Sequence, residues 1–195
     1  IYHEHFSYFS LTTIKQILKK FKLEIIDVEE LNVHGGSIRL YIKKIGQTKK
    51  ESKNVKKLLK KEKEFGITKK ETYRNFQNQI LEKKISIWKF FSVAKKEKKK
   101  IACYGAPAKG NTMLNYCQIG KDFINFTVDK NPAKQGKLLP GTHIPIFNLK
   151  KINEFKPDYL VILPWNLKEE IVEEMKYIRK WGGKFVVLSP KVKIF

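Results

Sequence analysis

The chain of 195 residues is long enough for one good-sized domain, or for one domain with part of another. Its formal charge of +22 raises nucleic acid as a partner, yet Arg39, Arg74 and Arg179 are its only arginines, and arginine is the residue that reads base edges and forks onto phosphate. The lysine runs at 49–63 and 95–100 have apolar residues at helical intervals between them, so they read as solvated faces and argue against a specific nucleic-acid partner.

Two cysteines, Cys103 and Cys117, are too few for a disulfide framework and have no histidine at metal-ligand spacing. They are expected to be core thiols in a reducing, cytoplasmic setting. No apolar run approaches the roughly 20 residues that a membrane span requires, so no membrane partner is expected. The chain opens on Ile1 and runs at once into a patterned segment. The expectation is a fragment that begins inside a domain.

Tyr2, His3, Glu4 and His5 put a phenol, two imidazoles and a carboxylate within four positions. Acid–base chemistry and a strand end with satisfied histidines both fit this cluster. Ser10 reads as an N-cap for a helix whose apolar stripe is Leu11, Ile14, Ile17, Leu18 and Phe21. Strands are predicted at Leu23–Val28 and Ser37–Ile42, joined through residues 29–36, in which Gly35 and Gly36 make the turn. A lysine-rich helix through Val55, Leu58, Leu59 and Phe65 stops at Gly66. Thr68 with Glu71 matches a capping box for the next helix, with Tyr73, Phe76, Ile80, Ile87, Phe90 and Phe91 on its buried side.

From Lys100 onward strands alternate with helices. Strands fit Ile101–Tyr104, Phe126–Asp129, Tyr159–Leu163 and Phe185–Leu188; helices fit Thr112–Gln118, Leu149–Phe155 and Leu167–Lys180. Asn166 is the expected N-cap of the last, with Glu169 three residues on and Gly182-Gly183 as its stop. The fold class is α/β, with a small parallel, Rossmann-like sheet at the C-terminal end.

The first strand–turn–helix unit, Ile101 to Tyr116, carries Gly105, Ala106, Lys109, Gly110, Asn111 and Thr112. Unpaired amides at a helix start attract anions, the glycines let backbone approach a ligand, and Lys109 adds a mobile charge. The glycine spacing matches neither GxGxxG nor a Walker loop, so a phosphate site and an ordinary turn both remain open. The later strand ends add Asp129, Lys130 and Asn131, then Trp165 and Asn166, in the places where such sheets bind ligands; ordinary turn chemistry is the alternative for each.

Taken together, the stretches YHEHFSYFSL at 2–11, VHGGSIRLYI at 33–42, YGAPAKGNTMLNYC at 104–117, VDKNPAKQGKLLPGTHIPI at 128–146 and PDYLVILPWN at 157–166 resemble one family. It is that of the S-adenosylmethionine-dependent C-methyltransferases acting on nucleotide-linked deoxy keto-sugars. The resemblance implies three parts: a small zinc-binding N-terminal domain, a central class I methyltransferase domain that binds S-adenosylmethionine, and a C-terminal Rossmann-like domain. By that comparison residues 1–45 close the central domain, 46–67 are a helical linker and 68–195 are the C-terminal domain. The zinc ligands and most of the S-adenosylmethionine site would then lie outside this chain, which alone would not be active.

The same resemblance assigns His5 as the base that removes a proton beside the sugar ketone, with Tyr2 and Glu4 orienting it or holding the sugar, and His3 turned away. His34, Gly35, Gly36 and Ser37 would either face the sugar or simply turn a hairpin. Lys109, Gly110, Asn111 and Thr112 would meet the diphosphate, and either Asp129, Lys130 and Asn131 or Trp165 and Asn166 would reach sugar or base. The expected partner is a nucleotide-diphosphate sugar. The other reading is a noncatalytic nucleotide-sugar binding or assembly module, and a nicotinamide dehydrogenase is disfavoured by the missing GxGxxG. Oligomeric state is not legible.

Overall fold

The computed structural model describes residues 6–33 and 36–195. They form two compact units, 6–78 and 79–195.

The first unit is a hairpin backed by two helices. Helix α1 (Leu11–Lys20) follows Ser10, whose Oγ accepts the Thr13 amide. Strands β1 (Leu23–Leu31) and β2 (Ser37–Lys44) pair antiparallel with a bulge between Ile25 and Asp27. The first strand runs three residues further than predicted, because Glu29–Leu31 keep pairing with Ser37–Arg39. Helix α2 (Lys53–Phe65) starts at Ser52 and ends at Gly66, whose φ of 77° is the left-handed stop anticipated from the sequence. The core is small: Leu11, Ile25, Val28, Val55 and Leu58 are buried together.

Glu62 of α2 supplies the rest of the α1 cap. Its carboxylate accepts the Leu11 and Thr12 amides at 2.7 and 2.8 Å and the Thr12 hydroxyl at 2.5 Å. Free helix-start amides and the positive end of the dipole are thereby met by a charge from a distant segment.

The division between the units falls within α3 (Lys70–Lys96). This helix starts at Lys70, so Thr68 stands in the preceding turn and the expected capping box does not form; Thr72 instead donates its hydroxyl to Gly66 O. The buried stripe also needs correction. Ile87, Phe90, Phe91 and Ala94 are buried, but Tyr73 and Phe76 are 57% and 53% exposed.

In the second unit, β3 (Ile101–Tyr104), β4 (Phe126–Val128), β5 (Ile146–Phe147), β6 (Tyr159–Ile162), β7 (Lys184–Val187) and β8 (Lys193–Ile194) form one sheet. Their order is β5-β4-β3-β6-β7-β8, parallel except for β8. The chain winds outward from β3 to β5, then crosses back beside β3 to lay down β6 and β7. This is the doubly wound, Rossmann-like arrangement, with its switch point between β3 and β6.

Alternation along the strands sorts side chains to two covered faces. On one, Ile101, Cys103, Val161 and Val186 pack with Ile87, Phe91 and Ala94 of α3 and with Leu114 and Cys117 of α4 (Ala108–Cys117). On the other, Ala102, Leu160, Ile162 and Phe185 meet Ile152 of α5 (Lys150–Phe155) and Ile171 of α6 (Lys168–Glu174). Both cysteines are free and buried, and burial pushes both thiols above their ordinary range.

Two helices differ from expectation where the site lies. Helix α4 starts at Ala108 rather than Thr112, so Lys109, Gly110 and Asn111 are helical. The expected helix over Leu167–Lys180 breaks into a 3₁₀ turn at Trp165–Leu167, α6, and a second 3₁₀ segment at Lys176–Trp181 that ends at Gly182. Asn166 therefore lies inside a turn and caps nothing.

Candidate functional site

The carboxyl ends of β3, β4 and β6 enclose a crevice of about 230 Å³. Its floor is Tyr104–Pro107, one side carries Asp129, Lys130 and Lys134, and the other carries Pro164, Leu167, Glu170 and Ile171. It sits at the topological switch point, where an open parallel sheet splits apart and leaves strand ends uncovered. A larger groove of about 470 Å³ runs along α3 past Phe90, Val93, Tyr159 and Ile194. It lies away from the strand ends and is largely apolar, without the converging polar groups of the crevice.

The β3–α4 turn is held in place by β4. Gly105 has a φ of 87°. Its N–H donates to Val128 O at 2.6 Å, and its carbonyl accepts the hydroxyl of the fully buried Thr127 at 2.7 Å. A Cβ on Gly105 would come within 2.7 Å of Pro164 Cδ, and one on Gly110 within 2.8 Å of Leu163 Cβ. Both glycines thus let the turn and helix pack onto the end of β6.

Asp129 closes the turn. Its Oδ2 accepts the Ala106 amide at 2.7 Å and lies 3.3 Å from Lys134 Nζ, while Oδ1 accepts the Asn131 amide at 2.9 Å. Lys134 also donates to the Ala106 carbonyl at 3.0 Å. Behind the floor, Tyr104 donates its hydroxyl to Glu174 Oε2 at 2.8 Å, and Lys130 pairs with the same oxygen at 2.9 Å. Burial, then the Glu174 hydrogen bond and charge, push the Tyr104 phenol up. The Glu174 hydrogen bond likewise holds the Lys130 ammonium above its usual range.

Of the residues singled out from sequence, Gly105, Ala106, Asp129 and Lys130 come together in this crevice. Lys109, Gly110, Asn111 and Thr112 do not line it; they form the first turns of α4. There Thr112 donates to Ala108 O, and Asn115 donates to both Asn111 oxygens. Asn131 Oδ1 accepts the Ala133 amide. Trp165 packs on the core face that includes Tyr104, and Asn166 is exposed. In the first unit, Gly36 has a φ of 114°, a Cβ added to it would meet nothing within 4 Å among the described residues, and Ser37 donates to Val33 O. Tyr2, His3, Glu4, His5, His34 and Gly35 lie outside the described residues.

Sequence reading missed Tyr104, Lys134, Glu170 and Glu174. A signal existed for the last two: positions four apart share a helix face, and α6 follows the β6 strand end after a short 3₁₀ turn.

A doubly wound, mostly parallel sheet with a crevice at its switch point defines a Rossmann-like α/β unit, and comparison with known proteins gives the family. Residues 32–190 match the family described as the C-methyltransferase C-terminal domain. The chain belongs to that family and is the C-terminal portion of a C-methyltransferase. It is 34% identical over 194 residues to the C-methyltransferase NovU of Streptomyces niveus; the alignment covers the whole of this chain and 46% of that relative. The chain thus spans about half the length of the relative it matches. Among the described residues, no helix is long and apolar enough to cross a membrane.

Proposed function

We propose that this chain is the substrate-side part of an S-adenosylmethionine-dependent C-methyltransferase acting on a nucleotide-linked deoxy keto-sugar. The observation that carries the reading is the switch-point crevice, in a chain of the C-methyltransferase C-terminal domain family. In this reading residues 1–45 close the methyl-transfer domain, 46–67 carry α2, which packs on that hairpin before the chain leads onward, and 68–195 bind the nucleotide-linked sugar.

The described residues do not fit S-adenosylmethionine itself. In the first unit the strands form an antiparallel hairpin, and the Gly46 turn after β2 leads into a loop rather than directly into α2, unlike the strand-to-helix turn that receives an adenosyl group in a parallel sheet. In the second, the corresponding turn amide at Ala106 is already taken by Asp129. The donor, which supplies the methyl group, is therefore assigned a site outside these residues, as is any zinc.

A sugar carbon becomes nucleophilic only when a proton beside the ketone is removed, so the chemistry needs a base and stabilisation of the enolate oxygen. His5 is assigned as the base, with Tyr2 and Glu4 orienting it. The diphosphate is assigned to Lys109 and the first amides of α4, which have no intrahelical partners.

Calorimetric titration of the 195-residue chain with thymidine diphosphate and, separately, with S-adenosylmethionine tests this. Nucleotide binding that weakens roughly tenfold in Lys109→Ala, with no S-adenosylmethionine binding, is expected. Tight S-adenosylmethionine binding would overturn the placement of the donor; no nucleotide binding would overturn the role given to residues 68–195.

A further inference from the structure

The ligand class of the crevice follows from which of its polar groups are committed and which are free. Asp129 is committed: both of its oxygens are engaged by the Ala106 and Asn131 amides, and Lys134 faces it. The amide that would greet an anion at this turn already holds the protein's own carboxylate. Lys134 is further tied to Ala106 O and Lys130 to Glu174. The crevice lining is thus balanced in charge, with Asp129 and Glu170 against Lys130 and Lys134, in a chain of formal charge +22. A diphosphate placed here would meet two carboxylates, and it would have to displace Asp129 from the Ala106 amide and compete with Glu174 and Asp129 for the two lysines.

What remains are acceptors beside apolar walls. Glu170 lines the crevice; its charge acts on Lys130 and Tyr104, but among the described residues its carboxylate accepts no side-chain or backbone hydrogen bond. Pro164, Leu167 and Ile171 supply apolar surface on the same side. A carboxylate acceptor next to an apolar wall suits a ring that offers hydroxyl donors on one edge and C–H groups on its face. A volume of about 230 Å³ accommodates one such ring and no complete nucleotide-linked sugar.

We infer that the switch-point crevice is a subsite for a neutral, hydroxylated ring, either a hexose or the pentose of a nucleoside, and that the diphosphate lies outside it. This rests on the nucleotide-linked sugar being the substrate.

The test records amide ¹H–¹⁵N spectra of the 195-residue chain with 6-deoxyglucose, thymidine, thymidine diphosphate and inorganic pyrophosphate in turn, reading Gly105, Ala106, Leu167 and Ile171. One of the first two ligands is expected to move these four signals, and which one it is identifies the ring. Pyrophosphate is expected to leave them in place. Glu170→Gln should weaken the neutral ligand about fivefold, whereas Glu173→Gln, which alters an exposed carboxylate paired with Lys176, should not. Movement of the four signals by pyrophosphate overturns the inference, as does silence with both neutral ligands or full binding by Glu170→Gln. If thymidine diphosphate moves no signal anywhere while 6-deoxyglucose moves the four, the subsite stands and the nucleotide-linked substrate falls.

Discussion

The two units solve the same burial problem with unequal means. In the parallel sheet, β3 and β4 are buried at every residue, because helices cover both faces and polar chemistry is pushed to the strand ends. In the hairpin unit two helices pack on β1 and β2 around five buried residues, and Phe21, Ile45 and Phe65 remain 70%, 56% and 68% exposed. A covered sheet can place a ligand crevice at its edge and still keep its core. A two-stranded ribbon has little apolar burial to spare.

The sharpest way to break this contrast is to hollow out each core in turn. Phe185, fully buried in the sheet, should cost about 3–5 kcal/mol when replaced by alanine, and Leu58→Ala in the hairpin unit about 2–3 kcal/mol. Urea unfolding followed by hydrogen exchange of each unit would read both. Equal losses, or losses spread evenly over the whole chain, would mean that the units do not differ in core strength.

A smaller effect tests whether the hairpin unit leans on electrostatic capping. Glu62→Ala strips the Leu11 and Thr12 amides of their acceptor and should cost about 1–2 kcal/mol. Exchange should quicken in residues 11–20 and stay unchanged in the parallel sheet. Unaltered protection of α1 would show that the cap is dispensable.

The smallest effect is pH-dependent. Tyr104 keeps its proton in the folded protein beyond the pH at which an unfolded phenol loses it, about 10, since burial and Glu174 both raise its pKa. The folded state then binds more protons than the unfolded one, so stability falls as pH rises past about 10. Tyr104→Phe should cost about 1 kcal/mol at neutral pH and flatten part of that alkaline decline. A melting temperature that falls between pH 9 and 11 as steeply in the variant as in the wild type would remove Tyr104 from the account.

Much of this architecture was readable from residues alone, and the failures have physical causes. Runs such as Ile101–Tyr104 and Tyr159–Ile162 announce strands buried on both sides, and Gly66 and Gly182 announce helix ends. Strands β5 and β8, two residues each, have no period to detect. The apolar spacing of Ile171, Met175 and Ile178 reads as helical, but it cannot reveal that the backbone tightens to 3₁₀ beyond Lys176. Tyr73 and Phe76 continue the stripe of α3, yet 27 residues span about 40 Å and a four-residue strand about 13 Å. Only part of such a helix can lie on the sheet. The turn at Gly105 was legible as a strand-to-helix turn and a candidate site. That Asp129 would occupy its amide was not, because residues 23 apart in sequence meet only through the order of the strands.

The Glu62 cap also sets an order of events for a chain made from one end. Leu11 and Thr12 must wait for a carboxylate about 50 residues downstream, which at ordinary synthesis speeds is a delay of roughly 3–10 s. During that interval the start of α1 has only Ser10 to hold it, so a growing chain completes α1 only after α2 has emerged. Any event that acts on the nascent segment before then meets a partly open helix rather than the finished unit.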